Sequence, residues 1–339
     1  DFKKLSEQLR SELLRVNGWR KVVRTGSIAV YLFVFCWFMF VLFGGALVSY
    51  IGLENYMQFT QYIIPVFIGF IVVNFVFTRC MTNFQERESE AMQHIMSTLF
   101  PTVYFSASSQ VDSRILRDSK LFSASFSDPA LAANTYGYIQ FPHGEHSLHV
   151  ADIGVSYGLL NKLQYNPVLG YFVMIYRFVL RPLFASRLDS SPHNFRGMFA
   201  WCKIDKRFKG NIIILPDHLE QKIGYLAKNI QGLKKRYSAR LLQLEDQEFE
   251  NYFAVYADDE VEARMLLTPA MMRHMTALRQ TFGCDIMLSF SRGTFYYAAV
   301  MPSGFLCVRP SALNDGKLLE DIYNDISLSC KVAEELRLN

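Results

Sequence analysis

The feature that most constrains this chain is a long stretch near its start that lacks basic residues. No lysine or arginine occurs between Arg24 and Arg79, and two apolar runs lie inside this stretch, at residues 28–51 and 62–77. The first run has no charged residue and exceeds the ~20 residues that a helix needs to cross about 30 Å of hydrocarbon. The second is shorter but has uncharged neighbours on both sides. Since a water-soluble core would have to bury every face of both helices, the sequence predicts a hairpin of two transmembrane helices over residues 25–81.

Basic residues flank the two apolar runs and orient the predicted hairpin. The connection between the runs, residues 52–61, contains Glu54 as its only charged residue. By the positive-inside rule, both chain termini are therefore expected in the cytoplasm. The first run is too long for a signal peptide and lacks a convincing A-x-A cleavage site, which predicts an uncleaved anchor. The basic residues expected at the membrane interface are Arg20, Lys21, Arg24, Arg79, Arg177 and Arg181.

Three further segments have helical patterns. Residues 1–24 place leucines at helical spacing among basic residues, which predicts an amphipathic helix on the membrane surface or on the main domain. Residues 82–101 continue the pattern of the second run and predict a stalk helix that is broken at Pro101. Residues 167–184 contain an apolar run that is too short to span. We expect a helix lying on the membrane there, and a helix buried in the main domain is the alternative.

The remaining sequence, residues 102–339, predicts one cytoplasmic α+β domain with antiparallel hairpins. Apolar and polar residues alternate around turn residues at 136–157 and again at 285–300, where Ser291-Arg292-Gly293 is the predicted turn. Asp258 or Asp259 is suited to begin a short helix, and Thr268 followed by Pro269 is typical of the start of another. Further strands are predicted over residues 195–204, 211–215 and 253–256, and a closing helix over 318–336.

The common signatures of catalysis and cofactor binding are missing from the sequence. Its six cysteines are scattered without a C-x-x-C pair, which indicates buried thiols in a reducing compartment rather than a disulfide framework or a zinc site. The motifs G-x-S-x-G, G-x-G-x-x-G and H-E-x-x-H and the P-loop do not occur. We therefore predict no cofactor and no catalytic residue.

Three histidines invite a metal-binding interpretation that their spacing does not favour. His143, His146 and His149 follow one another at intervals of three, and side chains three apart on a strand point to opposite faces. Histidine is a common metal ligand, but these three are better interpreted as structural residues.

A cluster of acidic residues is the candidate acidic site. Asp258, Asp259, Glu260 and Glu262 are able to supply paired carboxylates for a divalent ion or for acid–base catalysis. Helix capping by the aspartates and a salt bridge from Glu260 to Arg264 explain the same residues more simply.

Basic residues concentrate between positions 203 and 240, and Lys234, Lys235 and Arg236 are consecutive. These three form the candidate partner-binding segment. Near a membrane, each favourably placed basic residue is worth about 1 kcal/mol of attraction to anionic lipid. A solvated surface without a partner is the alternative. No recognised nucleic-acid motif accompanies the cluster, so no specific nucleic-acid partner is predicted.

Two segments of the chain resemble a known family. Residues 195–217 contain an F-x-G-x-F strand and an F-x-G turn leading to L-P-D, and residues 244–272 contain L-E-D-x-E-F-E followed by V-Y-x-D-D-x-V-E-A-R-x-L-L-T-P. In these motifs, over residues 90–339, the chain resembles the bacterial membrane family called domain of unknown function 3137. The resemblance implies a two-span inner-membrane protein with a cytoplasmic α+β domain, and it brings no activity. The apolar segment 167–184 departs from the family's usual polar connection, which favours an additional membrane contact.

Taken together, these features predict a non-catalytic protein anchored in the bacterial inner membrane. Its α+β domain is expected to bind partner proteins or itself, as a scaffold or accessory subunit of a membrane assembly. The expected partners are the lipid bilayer and either a second copy or other membrane protein subunits. The alternative is a membrane-bound, metal-dependent hydrolase that uses the carboxylates of residues 258–262. Carboxylates engaged in caps and ion pairs would favour the binding protein, whereas three of them on one divalent ion would favour the enzyme.

Overall fold

The structure is a computed structural model. It describes residues 61–101, 103–122, 132–143, 146–156, 169–176, 195–204, 210–216, 240–242, 246–302 and 304–306, together with isolated positions elsewhere, most of them between 14 and 60 and between 320 and 327. The chain divides into two compact units, residues 1–91 with 163–192, and residues 92–162 with 193–339.

The described elements are named here in chain order. The helices are α1 (Ile63–Leu99), α2 (Ser113–Asp118), α3 (Leu169–Ile175), α4 (Gln247–Glu250), α5 (Glu260–Leu266) and α6 (Pro269–Phe282). The strands are β1 (Tyr104–Ser106), β2 (Ala132–His143), β3 (His146–Ser156), β4 (Phe195–Lys203), β5 (Ile212–Pro216), β6 (Arg240–Leu242), β7 (Phe253–Ala257), β8 (Ile286–Ser291) and β9 (Thr294–Val300).

The first unit is mostly helical where it is described. Helix α1 continues without interruption from the second apolar run through the predicted stalk, and it ends two residues before Pro101. One face of α1 exposes five large apolar side chains, each 52–65% accessible, namely Ile68, Ile71, Val72, Phe75 and Val76. Much of the first apolar run, residues 28–51, lies outside the described residues, and its described positions are helical.

The structure describes the predicted membrane segments to different extents. Among the residues that the structure describes, no helix meets the combined length and hydropathy needed to cross a bilayer. The two-span hairpin over residues 25–81 therefore stays a prediction. Helix α3 covers only the start of the predicted interfacial helix, and the part of that segment from Arg177 onward lies outside the described residues.

The second unit contains the predicted α+β domain, which the structure confirms. The described strands form one antiparallel sheet in the order β1-β2-β3-β4-β9-β8-β5-β7-β6. Both predicted hairpins are present, as β2–β3 and β8–β9. In the second, the predicted turn Ser291-Arg292-Gly293 has φ of 51° at Arg292 and 71° at Gly293, so it places a residue other than glycine in the left-handed region.

The middle of the sheet is buried on both faces. One face carries Ile153, Phe195 and Phe199, and the ring of Phe122 packs edge-on against both phenylalanines at 4.9 and 5.3 Å between centroids. The opposite face carries Val150 and Tyr297, which are completely buried. Because the sheet interior is filled with side chains on both sides, a surface for binding must be sought on the helices, the loops and the ends of strands.

Gly197 explains the glycine of the F-x-G-x-F segment. Its φ is 153°, and a Cβ atom at this position would lie 2.1 Å from the carbonyl oxygen of Ala299 on the neighbouring strand β9. Real Cβ atoms do not approach a backbone oxygen this closely, so only glycine lets β4 and β9 pair here.

Candidate functional site

The L-E-D and D-D-x-V-E-A-R-x-L-L-T-P segments fold into three consecutive capped helices. Asp246 caps α4 by accepting a hydrogen bond from the N–H of Phe249 at 3.1 Å. Asp259 caps α5 by accepting from the N–H groups of Val261 and Glu262, at 2.8 and 3.2 Å. Thr268 caps α6 with Pro269 at the first position of the helix, as the sequence predicted. The caps determine where each helix begins and therefore shape the surface between the helices.

Each carboxylate of the candidate acidic site has a protein partner. Asp258 accepts from the backbone N–H and the side-chain amide of Asn211, at 3.1 and 2.7 Å. Glu262 accepts from the N–H of Gly210 at 3.0 Å. Glu260 pairs with Arg264 one turn along α5 at 3.0 Å, which is the predicted salt bridge. Together with the Asp259 cap, these contacts hold helix α5 next to the start of β5.

These contacts also link two of the segments that define the family resemblance. Gly210 closes the F-x-G turn, and Asn211 directly precedes strand β5. The Asn211 side chain in turn accepts a hydrogen bond from the Ser291 hydroxyl at 2.7 Å. No three histidine, cysteine, aspartate or glutamate side chains in the described part of the chain lie close enough together to hold a metal ion.

An open groove lies where α4, α5 and α6 meet, and we call it the helix groove. Its volume is about 570 Å³. Apolar side chains and a small number of polar ones share its walls, as is usual for binding surfaces. The groove is lined by Leu244, Asp246, Gln247, Arg264, Leu267, Pro269 and Met272, all of which belong to the family-like segment 244–272.

Two large apolar side chains stand in solvent beside the helix groove. Val261 is 67% exposed and Met265 is 74% exposed. They are four residues apart on α5, and Arg264, which lines the groove, is three residues from one and adjacent to the other. The opposite side of α5 buries Ala263 and Leu266. Helix α5 therefore has apolar side chains on both its buried and its exposed sides, which is unusual for a surface helix.

One of the three histidines belongs to an aromatic cluster on β2, β3 and β4. The His149 ring stacks on Trp201 at 5.0 Å between centroids, and its Nδ1 lies 2.6 Å from the Tyr138 hydroxyl. Burial lowers the pKa of His149 below its usual value. The side chains of His143 and His146 lie outside the described residues.

Sequence reasoning missed a buried ion pair between Asp152 on β3 and Arg196 on β4. Both Nη atoms of Arg196 donate to the Asp152 carboxylate, and the N–H of Leu306 donates to it at 3.3 Å. Tyr136 is the extra residue of a β-bulge in β2, and its ring centroid lies 3.8 Å from the Arg196 guanidinium carbon. Burial raises the pKa of Asp152, and Arg196 and backbone amides act against this. The available signal was an aspartate among the otherwise uncharged, apolar residues 150–155 of β3.

Several predicted site residues cannot be placed on this surface. Among the residues expected at the membrane interface, Arg79 is helical and exposed on α1. The other interface residues and the candidate partner-binding segment lie outside the described residues, namely Arg20, Lys21, Arg24, Arg177, Arg181, Lys234, Lys235 and Arg236.

The chain has one distant structural likeness and one family match. No curated protein matches it significantly. The crystal structure of the mycobacterial trehalose monomycolate transport factor A, TtfA, shares 8% sequence identity, with 70% of this chain and 94% of that chain covered, and a TM-score of 0.33 does not establish a common fold. Residues 193–338, which include strands β4 to β9 and the whole helix groove, match the family described as protein of unknown function DUF3137. This match confirms, over residues 193–338, the resemblance to the DUF3137 family that the sequence motifs indicated.

Proposed function

We propose that this protein is a membrane-anchored, non-catalytic binding protein, a scaffold or accessory subunit, whose α+β domain holds a partner protein or a second copy at the helix groove. One observation carries the proposal. The family-like segment 244–272 builds an open groove, with Val261 and Met265 exposed on its helix α5, while the carboxylates of the same segment are engaged in holding the fold. Large apolar side chains exposed next to a concave surface are typical of interaction sites.

The alternative, a metal-dependent hydrolase, requires at least three of the carboxylates of residues 258–262 to turn toward one ion. Asp258 and Glu262 bind backbone N–H groups of residues 210 and 211, Asp259 caps α5, and Glu260 is paired with Arg264. Freeing them for a metal would break a helix cap and the contact that positions β5. This arrangement supports a structural role for the cluster and therefore a binding role for the domain.

The membrane anchor is the second part of the proposal. It is supported by the charge-free sequence between Arg24 and Arg79 apart from Glu54, and by the row of exposed apolar side chains on α1. Ile68, Val72 and Phe75 follow one another at intervals of four and three, so they lie on one face of the helix. A contiguous apolar face of this kind needs lipid or another protein to cover it. The row ends at Arg79, which is exposed.

The binding role is tested by isolating the full chain with its companions from the cells that produce it. The tagged protein is extracted in mild detergent, and attached proteins are identified by mass spectrometry. We expect a stoichiometric companion, or self-association, that is lost in Val261→Asp/Met265→Asp and kept in Tyr104→Asp, which changes an exposed residue on β1. A monomer without companions, or companions that both variants retain equally, would exclude the helix groove as the binding surface.

The anchor is tested separately by membrane extraction and by topology reporters. We expect the full chain to stay with the membrane fraction in alkaline carbonate, and a reporter fused after Asn339 to be active only in the cytoplasm. Release by carbonate, or a reporter active outside the inner membrane, would contradict this part of the proposal and leave the binding role standing.

A further inference from the structure

We infer that the occupant of the helix groove is a basic amphipathic helix of a partner protein, with apolar side chains for the groove and lysines or arginines for its rim. This inference rests on the proposed binding role and names the chemistry of the partner. Amphipathic helices that lie in apolar grooves are a recurring mode of recognition. The groove lies between the three capped helices α4, α5 and α6 and is not a sheet edge.

The apolar part of the surface calls for an occupant that buries apolar side chains against it. Leu244, Leu267, Pro269 and Met272 contribute apolar atoms to the groove walls. Val261 and Met265 add two exposed apolar side chains on α5, the helix that also carries the groove residue Arg264. Methionine adapts its shape to different apolar partners because its side chain is unbranched and polarisable. A partner helix with apolar residues at three- and four-residue intervals fits such a surface, since these residues form one continuous stripe.

The charge around the groove indicates whether the occupant is positively or negatively charged. Residues 246–282, which include all three helices of the groove, contain seven carboxylates and three guanidinium groups, a formal charge of −4, on a chain whose net charge is +4. Asp246 lines the groove, and the other acidic residues lie on α4 and α5 or directly before α5, two of the three helices that form it. Their protein partners are mostly backbone N–H groups, which do not cancel a full negative charge. A positively charged partner is therefore attracted to the groove, and a negatively charged one is repelled.

The same charge argues against two other classes of ligand. Nucleic acids bind proteins through contacts between phosphates and basic residues, and anionic membranes attract basic segments in the same way. The three helices of the groove, with a formal charge of −4 over residues 246–282, repel both. We therefore assign the groove to a protein segment and treat nucleic acid and anionic lipid as outcomes that would contradict the inference.

The test measures binding of a designed peptide to the full chain in mild non-ionic detergent. The probe is a fluorescein-labelled 18-residue peptide of leucine and lysine that forms one apolar and one basic helical face. One control peptide has the same composition in an order that scatters the leucines around the helix. A second control peptide has glutamate in place of each lysine. Fluorescence anisotropy is read against empty micelles to remove binding to detergent.

Two variants of the protein separate the apolar and the electrostatic contributions. Val261→Ser/Met265→Ser removes the exposed apolar pair, and its control is Tyr104→Ser. Glu248→Gln/Glu260→Gln removes two exposed charges near the groove, and its control is Glu86→Gln/Glu90→Gln, two exposed carboxylates on α1. Unchanged thermal unfolding of all four variants shows that each one remains folded. If one variant of the groove unfolds early, the other still tests the inference.

We expect the amphipathic basic probe to bind the wild-type chain and both control variants. Loss of Val261 and Met265 should weaken binding by about tenfold or more, as expected for the centre of an interface. Loss of the two charges should weaken it by about threefold, with the difference disappearing at high salt. Neither control peptide should bind measurably.

The inference is overturned if the basic probe does not bind, if the glutamate peptide binds as well, or if all protein variants bind the probe equally. Binding of single-stranded DNA, or of vesicles containing phosphatidylserine, that is lost in Val261→Ser/Met265→Ser would also overturn it. The proposed binding role has its own test. A companion that depends on the groove but has a neutral or acidic binding segment would sustain the proposed function and contradict the inference about the partner's charge.

Discussion

Asp152 and Arg196 join neighbouring strands through a two-pronged ion pair, in which Nη2 donates to Oδ2 at 2.8 Å and Nη1 donates to Oδ1. The Asp152 side chain is completely buried and Arg196 is nearly so. Asp152 also accepts from the N–H of Leu306, and the N–H of Met301 donates to the carbonyl of Arg196 at 2.9 Å. The pair therefore holds the segment that follows β9 against strands β3 and β4.

Replacing Arg196 with methionine should destabilise the second unit by about 3–5 kcal/mol, because the buried Asp152 carboxylate loses its countercharge. The measurement is urea unfolding followed by the fluorescence of Trp201, which is the only tryptophan in that unit's sequence, in a background where Trp19 and Trp37 are phenylalanine. The control is Arg292→Met, which breaks an exposed pair with Asp118 at 3.4 Å and should cost less than about 1 kcal/mol. Equal losses in the two variants would refute a special role for the buried pair.

Gly197→Ala should destabilise the same unit by about 3 kcal/mol or more, because the new methyl group meets the Ala299 carbonyl oxygen and cannot adopt the native backbone angle without strain. The matched control is Gly283→Ala at the end of α6. Gly283 also has a positive φ, of 60°, but nothing lies within 4 Å of a Cβ there, so the expected cost is about 1 kcal/mol. A Gly197 variant no less stable than the Gly283 variant would contradict the close approach of β4 and β9.

Local features of the sequence predicted local features of the fold. The cap at Asp259, the start of α6 at Thr268 and Pro269, and the pair of Glu260 with Arg264 all involve residues within four positions of one another. Their geometry follows from the helix itself, so spacing alone identifies them. The hairpin turn at Ser291-Arg292-Gly293 was predictable for the same reason.

Features that join distant parts of the chain were not predictable from spacing. Strand β9 lies between β4 and β8, and β5 pairs with β7 and β8 rather than with β4, which precedes it in the chain. Asp152 and Arg196 are 44 positions apart, and no sequence feature near either residue identifies the other as its partner. The helix groove has the same origin, since its lining residues Leu244 and Met272 lie far apart in the chain. Only the packing of three helices makes them neighbours.

Asp259→Ala should lower the stability of the second unit by about 1 kcal/mol, because two N–H groups at the start of α5 lose their acceptor. Glu260→Ala should cost at most about 0.5 kcal/mol, because its pair with Arg264 is exposed to solvent. The Trp201 unfolding assay measures both. If the residues of the acidic cluster instead acted together on an ion, added Mg²⁺ or Ca²⁺ would stabilise the wild-type chain and neither variant.

His149 should make the second unit less stable as the pH falls from about 7.5 to 5. Burial against Trp201 and Tyr138 lowers the pKa of His149 in the folded protein below the value of about 6.5 that the unfolded chain has. The unfolded chain then binds more protons in this range, so stability is lost as the pH drops below about 6.5 and levels off once the folded form is protonated too.

His149→Gln isolates this contribution from that of the other histidines. The variant should lose less stability than the wild-type chain between pH 7.5 and pH 5, measured as the midpoint of urea unfolding at each pH. The control Tyr138→Phe removes the hydroxyl that lies 2.6 Å from Nδ1 and keeps the ring. It should retain the pH dependence, because burial and not the hydrogen bond is the main cause of the lowered pKa. Identical pH profiles for wild type and His149→Gln would show that the imidazole is as solvated in the folded chain as in the unfolded one.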